Sequence, residues 1–258
     1  MKLRSFKTAS ALALALSFSV SAPAGKPIYA KKAVGFPIRC WSDQIKECRA
    51  LHIPSPDGQS VVRIGYHKEM IGRDFILLAS FQITQKDGTR IDVGAPGLVE
   101  GELLWSPDSR SFLINWSNAL QGEQGVEVYR LNDLSSGGGN GEWRNVVAAA
   151  QRDMLKSFPP CQAKNSDPQD CANLLNHPEA VDVAAVAWTR RSSAIVVLAE
   201  IPCSSRFGGI MCEVLGYELE ASTGKILRRM QPKEFAREWQ PSLAWKFHDP
   251  GPPEYQGK

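Results

Sequence analysis

Along most of this chain apolar and polar residues alternate with a period of two, the spacing of strands that bury one face. Residues 60–66 alternate around Val62 and Ile64, and residues 75–84 form a long apolar strand. Residues 89–93 return after the turn Lys86-Asp87-Gly88, a hairpin pattern. Leu103-Leu104-Trp105 leads into a strand over 111–116, and residues 125–131 read as a further strand ending at Asn132-Asp133. Strands resume at 181–188 and 194–201, on either side of a polar turn over 189–193. They continue at 213–219 and 226–229.

The middle of the chain has another rhythm. Residues 135–141 are a Ser- and Gly-rich linker. Val146, Val147, Ala150, Met154 and Leu155 then repeat at helical spacing over 145–158, and Pro159-Pro160 stops the run. Asp167-Pro168 opens a second short helix through Leu175, with Asp as cap and Pro at the first helical position. The pattern therefore predicts a helical insertion at about 142–178 in a β scaffold. Beyond Gln231 the chain reads as irregular or briefly helical, and residues 250–258 as a frayed tail.

One short unit recurs. Ser55-Pro56-Asp57-Gly58 precedes the strand Gln59-Ser60-Val61-Val62-Arg63-Ile64, and Trp105-Ser106-Pro107-Asp108-Ser109 precedes Arg110-Ser111-Phe112-Leu113-Ile114. A degraded third copy aligns Trp188-Thr189 with Trp105-Ser106, and Ile195-Val196-Val197 with Phe112-Leu113-Ile114. Asp57 and Asp108 stand where Asp caps a turn by accepting backbone N–H groups, so they are structural turn caps before they are catalytic carboxylates.

These residues resemble the blade repeats of the TolB-like class, relatives of WD-repeat propellers, whose blades carry W-S-P-D-G followed by an apolar strand. Residues 105–114 match well, residues 52–64 match without the Trp, and residues 188–197 match in outline. The runs 128–132 and 216–219, the latter followed by Thr223-Gly224-Lys225, also resemble blade ends. The turns are 51 and then 83 residues apart, against about 40 to 45 in a regular propeller. Three copies are visible, where closed propellers have about four to eight blades. The expectation is a mainly β fold: an irregular or partial propeller-like stack of antiparallel hairpins with a short helical insertion, with a β-sandwich as the alternative.

The N-terminus reads as an address. Lys2, Arg4 and Lys7 precede a twelve-residue apolar or small run over 9–20, and Ala22-Pro23-Ala24 offers a cleavage site. This predicts a signal peptide over 1–24, with a rival cut after Ala30, and one β-rich domain over 25–258. The first thirty residues are expected to stand outside the fold. The predicted location is the bacterial periplasm or beyond. Charge follows from this. Thirty Lys and Arg face 27 Asp and Glu in the whole chain, and without Lys2, Arg4 and Lys7 the two signs balance. A nucleic-acid partner loses its support.

Six cysteines fall as close pairs, Cys40/Cys48, Cys161/Cys171 and Cys203/Cys212, which suits an oxidising compartment. Their similar spacings favour these three local disulfides among the fifteen possible connectivities. No C-x-x-C occurs and no His lies within three residues of a Cys, so no metal or other cofactor is expected.

Catalytic signals are sparse. There is no G-x-S-x-G elbow, Walker loop, H-E-x-x-H or EF-hand loop, and Gly137-Gly138-Gly139 reads as linker. His52, His67, His177 and His248 are scattered, though His52 and His67 could meet across adjacent strands, joined by Asp74 or Asp57. Glu100 and Glu102 face one side of a strand, a spacing that glycoside chemistry could use but that a solvated strand face explains. Of seven tryptophans, Trp105 and Trp188 read as core. Trp41, Trp143, Trp239 and Trp245 lie near loops, where they pack or grip a sugar or partner. Asn115-Trp116-Ser117 fits a glycosylation sequon by chance. The first functional reading is an exported, non-catalytic binding protein on a disulfide-stapled scaffold, with an inhibitor or immunity-type partner of a secreted hydrolase as a special case. The alternative is a periplasmic hydrolase acting on glycan or ester substrates.

Overall fold

A computed structural model describes residues 30–37, 40–41, 50–71, 74–94, 100–118, 123–135, 146–158, 167–176, 178, 181–201 and 213–243. These residues are mainly β and form three antiparallel sheets. In the first sheet β3 (Leu51–Pro54), β4 (Ser60–Ile71), β5 (Asp74–Gln85) and β6 (Arg90–Gly94) run as a meander. The short β2 (Cys40–Trp41) shares the outer edge of β5 with β6. The second sheet contains β7 (Glu100–Trp105), β8 (Ser111–Asn118) and β9 (Glu123–Arg130), with β1 (Val34–Pro37) added to the free edge of β7. The third is a meander of β10 (Asp182–Thr189), β11 (Ala194–Glu200), β12 (Val214–Glu220) and β13 (Ile226–Met230).

Four helices accompany the sheets. The expected helical segment holds α2 (Ala148–Ser157) and α3 (Pro168–Asn176). One further helix falls where a strand end was expected, and another where the chain reads as irregular or briefly helical. The chain after β9 turns at once into α1 (Leu131–Ser135), where the strand was expected to run on to Asn132-Asp133. The segment after Gln231 is a defined helix, α4 (Pro232–Trp239), with Pro232 at its first position and the Gln231 N–H on Glu234 Oε2 at 3.4 Å. None of the helices among the described residues is long and apolar enough to cross a membrane.

Burial explains the apolar pattern strand by strand. Successive side chains of a strand point to opposite faces, so Leu103 and Phe112 go to one core while Leu104 and Leu113 go to another. The second sheet is covered on both faces, which is why Leu103-Leu104-Trp105 and Phe112-Leu113-Ile114 are unbroken apolar runs. Between the first two sheets, Val62, Ile64, Phe81 and Ile83 meet Leu103, Phe112 and Ile114. Phe112 stacks on Tyr129 with centroids 4.7 Å apart and meets Trp105 edge-on at 5.2 Å. Between the second and third sheets, Leu104, Leu113 and Val126 share a core with Val183, Ala185, Ile195 and Val197, roofed by Val147 and by Ala150 and Met154 of α2.

The two ends of the stack differ. The outer side of the first sheet carries His52, Arg63, Arg90 and Asp92, all exposed. The far side of the third sheet buries Val186, Val196, Leu198 and Met230 beneath Phe235 of α4. Gly216 makes that docking possible, because a Cβ there would collide with the Phe235 ring. Arg228 on β13 clamps α4 through Glu234 and through both Glu238 oxygens at 2.7 Å. The described residues thus form an open stack, with a polar surface at one end and a helix at the other, the arrangement by which a linear array ends in water.

Polar groups between the second and third sheets are matched one by one. Both main-chain groups of a residue in an antiparallel strand point the same way, and those of Ala185 on β10 point to Asn115 of β8. The Ala185 N–H donates to Asn115 Oδ1 at 2.8 Å, and Asn115 Nδ2 donates to the Ala185 carbonyl at 2.8 Å. The same amide nitrogen lies 3.2 Å from Glu102 Oε2, and Glu102 sits directly opposite Asn115 in the β7–β8 register. Glu102 also accepts the Ala30 N–H at 3.3 Å.

Two expectations are corrected here. The 100/102 carboxylate pair was expected on a solvated face, yet Glu102 is fully buried because its side of β7 faces the third sheet. Ala30, expected outside the fold, is fully buried as well. It bridges Leu243, and the Lys31 N–H donates to the Ser242 carbonyl at 2.8 Å, so a small apolar residue closes the core where the two ends of the fold meet.

Replacing Asn115 with Ala would leave the Ala185 N–H and carbonyl without this partner and remove a donor from buried Glu102. We expect Asn115→Ala to cost about 3 to 5 kcal/mol, measured as a lower urea midpoint at unchanged slope.

Candidate binding cleft and carboxylate sites

The repeated turn builds the same hydrogen-bond pattern twice. Ser55 Oγ lies 2.7 Å from Asp57 Oδ1 and accepts the Ser60 N–H at 3.0 Å, while Asp57 Oδ1 accepts the Gln59 N–H at 3.0 Å. Ser106, Asp108, Arg110 and Ser111 repeat this at 2.7, 3.0 and 3.2 Å. The Gln59 N–H and then the Ser55 hydroxyl hold the Asp57 carboxyl below its usual range. At Asp108 partial burial opposes ionisation, but the Ser106 hydroxyl and the Arg110 N–H outweigh it and the carboxyl is again lowered. These are acids spent on backbone geometry. In the third turn Arg191 replaces the Asp, and Glu218 of β12 holds the loop through Thr189 Oγ1 and a two-point contact with Arg190 at 2.8 and 3.1 Å.

Equivalent positions also tie one sheet to the next. Trp105 Nε1 donates to the Ile53 carbonyl at 3.2 Å, and Trp188 Nε1 donates to the Leu104 carbonyl at 3.1 Å. The Asp57 N–H donates to Ser109 Oγ at 3.0 Å, and the Asp108 N–H donates to Ser192 Oγ at 3.3 Å. Ser109 and Ser192 hold the left-handed conformation that Gly58 holds in the first copy, with φ of 61°, 72° and 68°. A non-Gly residue there costs about 1 to 2 kcal/mol, which the bond to the preceding turn offsets.

Where these ties leave the second and third sheets slightly apart, a cleft of about 220 Å³ opens. Leu104, Trp105, Val186, Ala187 and Trp188 line it from the two sheets. Lys32, Pro107, Pro241 and Ser242 make the rim. Both indole N–H groups are committed to carbonyls, so the rings are fixed before any ligand arrives. Lys32 is exposed, and it is the one charged residue of the lining among the described residues. The lining has aromatic surface, one cation and one hydroxyl side chain. That suits binding an apolar group, and it offers no nucleophile–base pair.

Acid chemistry lies elsewhere and is dispersed. Glu127 on β9 accepts the Tyr129 hydroxyl at 2.9 Å, and burial pushes its carboxyl up to about 7, although the Tyr129 bond opposes the shift. Burial also pushes the Tyr66 hydroxyl up to about 12. On the third sheet, Asp182 of β10 sits directly opposite Glu200 of β11. Burial, and then the charge of Glu200, push Asp182 up to about 7, and burial raises Glu200 too. Asp182 Oδ1 is buried with no hydrogen-bond partner among the described residues. No group of three or more His, Cys, Asp or Glu that could hold a metal occurs among the described residues.

The residues singled out in the sequence are placed as follows. His52 lies opposite Arg63, and His67 lies opposite Leu78 farther along β4. Four residues of strand, about 13 Å, therefore separate the two histidines, and the expected cross-strand meeting does not occur. Asp57 sits in the first turn and Asp74 at the far end of β4–β5, so neither joins them into one site. Asn115 of the sequon is 1% exposed and bonded through its amide, which leaves it no access to glycosylation. Trp239 packs half-buried on the α4 side of the third sheet, and its Nε1 is buried without a partner among the described residues. Cys40 and Cys171 fall in β2 and α3, and their side chains lie outside the described residues, as do Cys48, Cys161, Cys203 and Cys212. Gly137-Gly138-Gly139, Trp143, Trp245, His177 and His248 also lie outside them, as do the side chains of Trp41, His67, Asp74 and Glu100.

Sequence reasoning missed Lys32, Pro241 and Ser242 on the cleft rim, and Glu127, Asp182 and Glu200 as half-buried acids. None sits in a recognisable pattern, and only the third dimension brings each to its neighbours. No protein-family model and no curated protein matches the chain.

Two outcomes follow from this geometry. Replacing Trp188 with Phe keeps most of the ring but leaves the Leu104 carbonyl without its donor, and we expect a loss of about 1 to 2 kcal/mol in chemical denaturation. The folded-state value of Asp182 lies above its unfolded value of 3.8. Its contribution is therefore least unfavourable below pH 4, and stability is lost as the pH rises through about 7. Asp182→Asn should raise the melting temperature at pH 8 and leave it unchanged at pH 4.

Proposed function

We propose that this protein is an exported, non-catalytic binding module of the bacterial periplasm or the space beyond, and that the tryptophan cleft is its binding site. One observation carries the reading: the cleft between the second and third sheets is lined by the immobilised Trp188 indole, by Trp105 and by apolar residues, with no carboxylate, histidine or thiol in its described lining. The predicted signal peptide and the charge balance of the chain beyond it support export and argue against nucleic acid as a partner. The paired cysteines agree with an oxidising compartment. We read the sheets as repeats of the TolB-like kind in an open stack, supported by indole and serine ties that recur at equivalent positions. An inhibitor or immunity-type role toward a secreted hydrolase is the special case of this reading.

The hydrolase alternative is favoured by Glu127 and Asp182, whose carboxyls are protonated in part near pH 7 and so resemble general acids. Glu127 lies on the second sheet and Asp182 on the third. Each has an opposing neighbour or one hydroxyl beside it, and no described nucleophile.

The two readings separate in one experiment. Mature protein and an Ala187→Leu variant, which narrows the cleft without removing a tie, are used to capture partners from envelope extract. We expect a specific partner with the wild type and its loss with the variant. Turnover of a glycan or ester by the wild type, abolished by Glu127→Gln or Asp182→Asn and unaffected by Ala187→Leu, would overturn the binding reading.

A further inference from the structure

We propose that the tryptophan cleft takes a large apolar side chain carried next to a free carboxylate, the chemistry of the C-terminal residue of a peptide chain, with Lys32 as the carboxylate's partner. The inference rests on the reading of the cleft as the binding site and goes beyond it to the class of ligand. Size sets the first limit: about 220 Å³ accommodates one bulky side chain and excludes a folded element. Shape sets the second, because the Trp188 indole has its N–H bonded to the Leu104 carbonyl and offers a ligand ring surface beside Leu104 and Trp105.

Charge chooses among ligands that like aromatic surface. A quaternary ammonium or methylated amine would be drawn to the indole faces but would meet Lys32 at the rim. A sugar brings several hydroxyl groups that must be satisfied on burial, and Ser242 is the one hydroxyl side chain in the described lining. An apolar group with an adjacent anion leaves nothing unmatched. Lys32 is exposed, has no carboxylate partner among the described residues, and lies next to Lys31, whose N–H is anchored on the Ser242 carbonyl at 2.8 Å. The anchoring holds this cationic segment at the mouth of the cleft, where a charge-assisted bond to a carboxylate can form.

The test is calorimetric titration of the mature protein with the peptide Ala-Gly-Ser-Phe as the free acid, with the same peptide as its C-terminal amide, and with 3-phenylpropanoate. The free acid should bind with a dissociation constant of about 1 mM or below, and the amide about tenfold more weakly. Lys32→Ala should erase that difference, Lys32→Arg should restore most of it, and Ala187→Leu should remove both interactions. Equal binding of acid and amide, lost in Ala187→Leu, would overturn the carboxylate partner while the cleft stays a binding site. Binding of 3-phenylpropanoate as tight as that of the free-acid peptide would overturn the peptide C-terminus in favour of a small aromatic acid. Absence of binding to all three probes would overturn the ligand class. Retention of a captured envelope partner by Ala187→Leu would, separately, overturn the cleft as the site.

Discussion

The side-chain amide of Asn115 and the main chain of Ala185 form a pair of hydrogen bonds on which the joining of the second and third sheets depends. An apolar interface alone would let two sheets slide over one another, because hydrophobic contact has no direction. A buried amide that meets both main-chain groups of one residue permits a single register, since any slip would leave several buried polar groups unmatched. Through Glu102 the same contact reaches Ala30 and the meeting of the two ends of the fold. The indole and serine ties between successive turns extend this logic along the stack.

That register also produces the cleft. Trp188 is held to the Leu104 carbonyl, and both residues line the cleft where β7 and β10 end. Both indoles have a structural duty, and the proposed recognition surface is built on that of Trp188. A site whose walls are already immobilised has little ordering cost left on binding. The half-buried acids Glu127 and Asp182 have a different character. They lower stability near neutral pH, and neither lies among the described residues of the cleft.

Much of the architecture was legible in the chain because strand burial writes itself as a period of two. The hairpins of the first and third sheets, the helical segment and the turn repeats all follow from residue alternation and from Gly, Pro and Asp at set offsets. Glu102 was not legible. Its neighbours look like those of a surface strand, and only the presence of a sheet opposite makes its side the buried one. His52 and His67 failed for a related reason: sequence shows that two strands pair, but a register offset of four residues decides whether two side chains meet. Short elements such as β1, β2 and α1 carry too few residues for periodicity to register, and their partners are distant in sequence.

The amino-acid sequence by itself determined the β class, the turn geometry at Asp57 and Asp108, and the two tryptophans that recur with the turns, because each depends on contacts within a few residues. Tertiary structure alone decided that the stack is open among the described residues, with a polar side on the first sheet and α4 over the third. It also decided that Asn115 is a joint and not a surface sequon, and that Lys32 meets Trp105 and Trp188 at one cleft. These are facts about which faces lie opposite one another. No local pattern encodes them, since they rest on burial and hydrogen bonds between separate elements, such as Asn115 and Ala185, 70 positions apart.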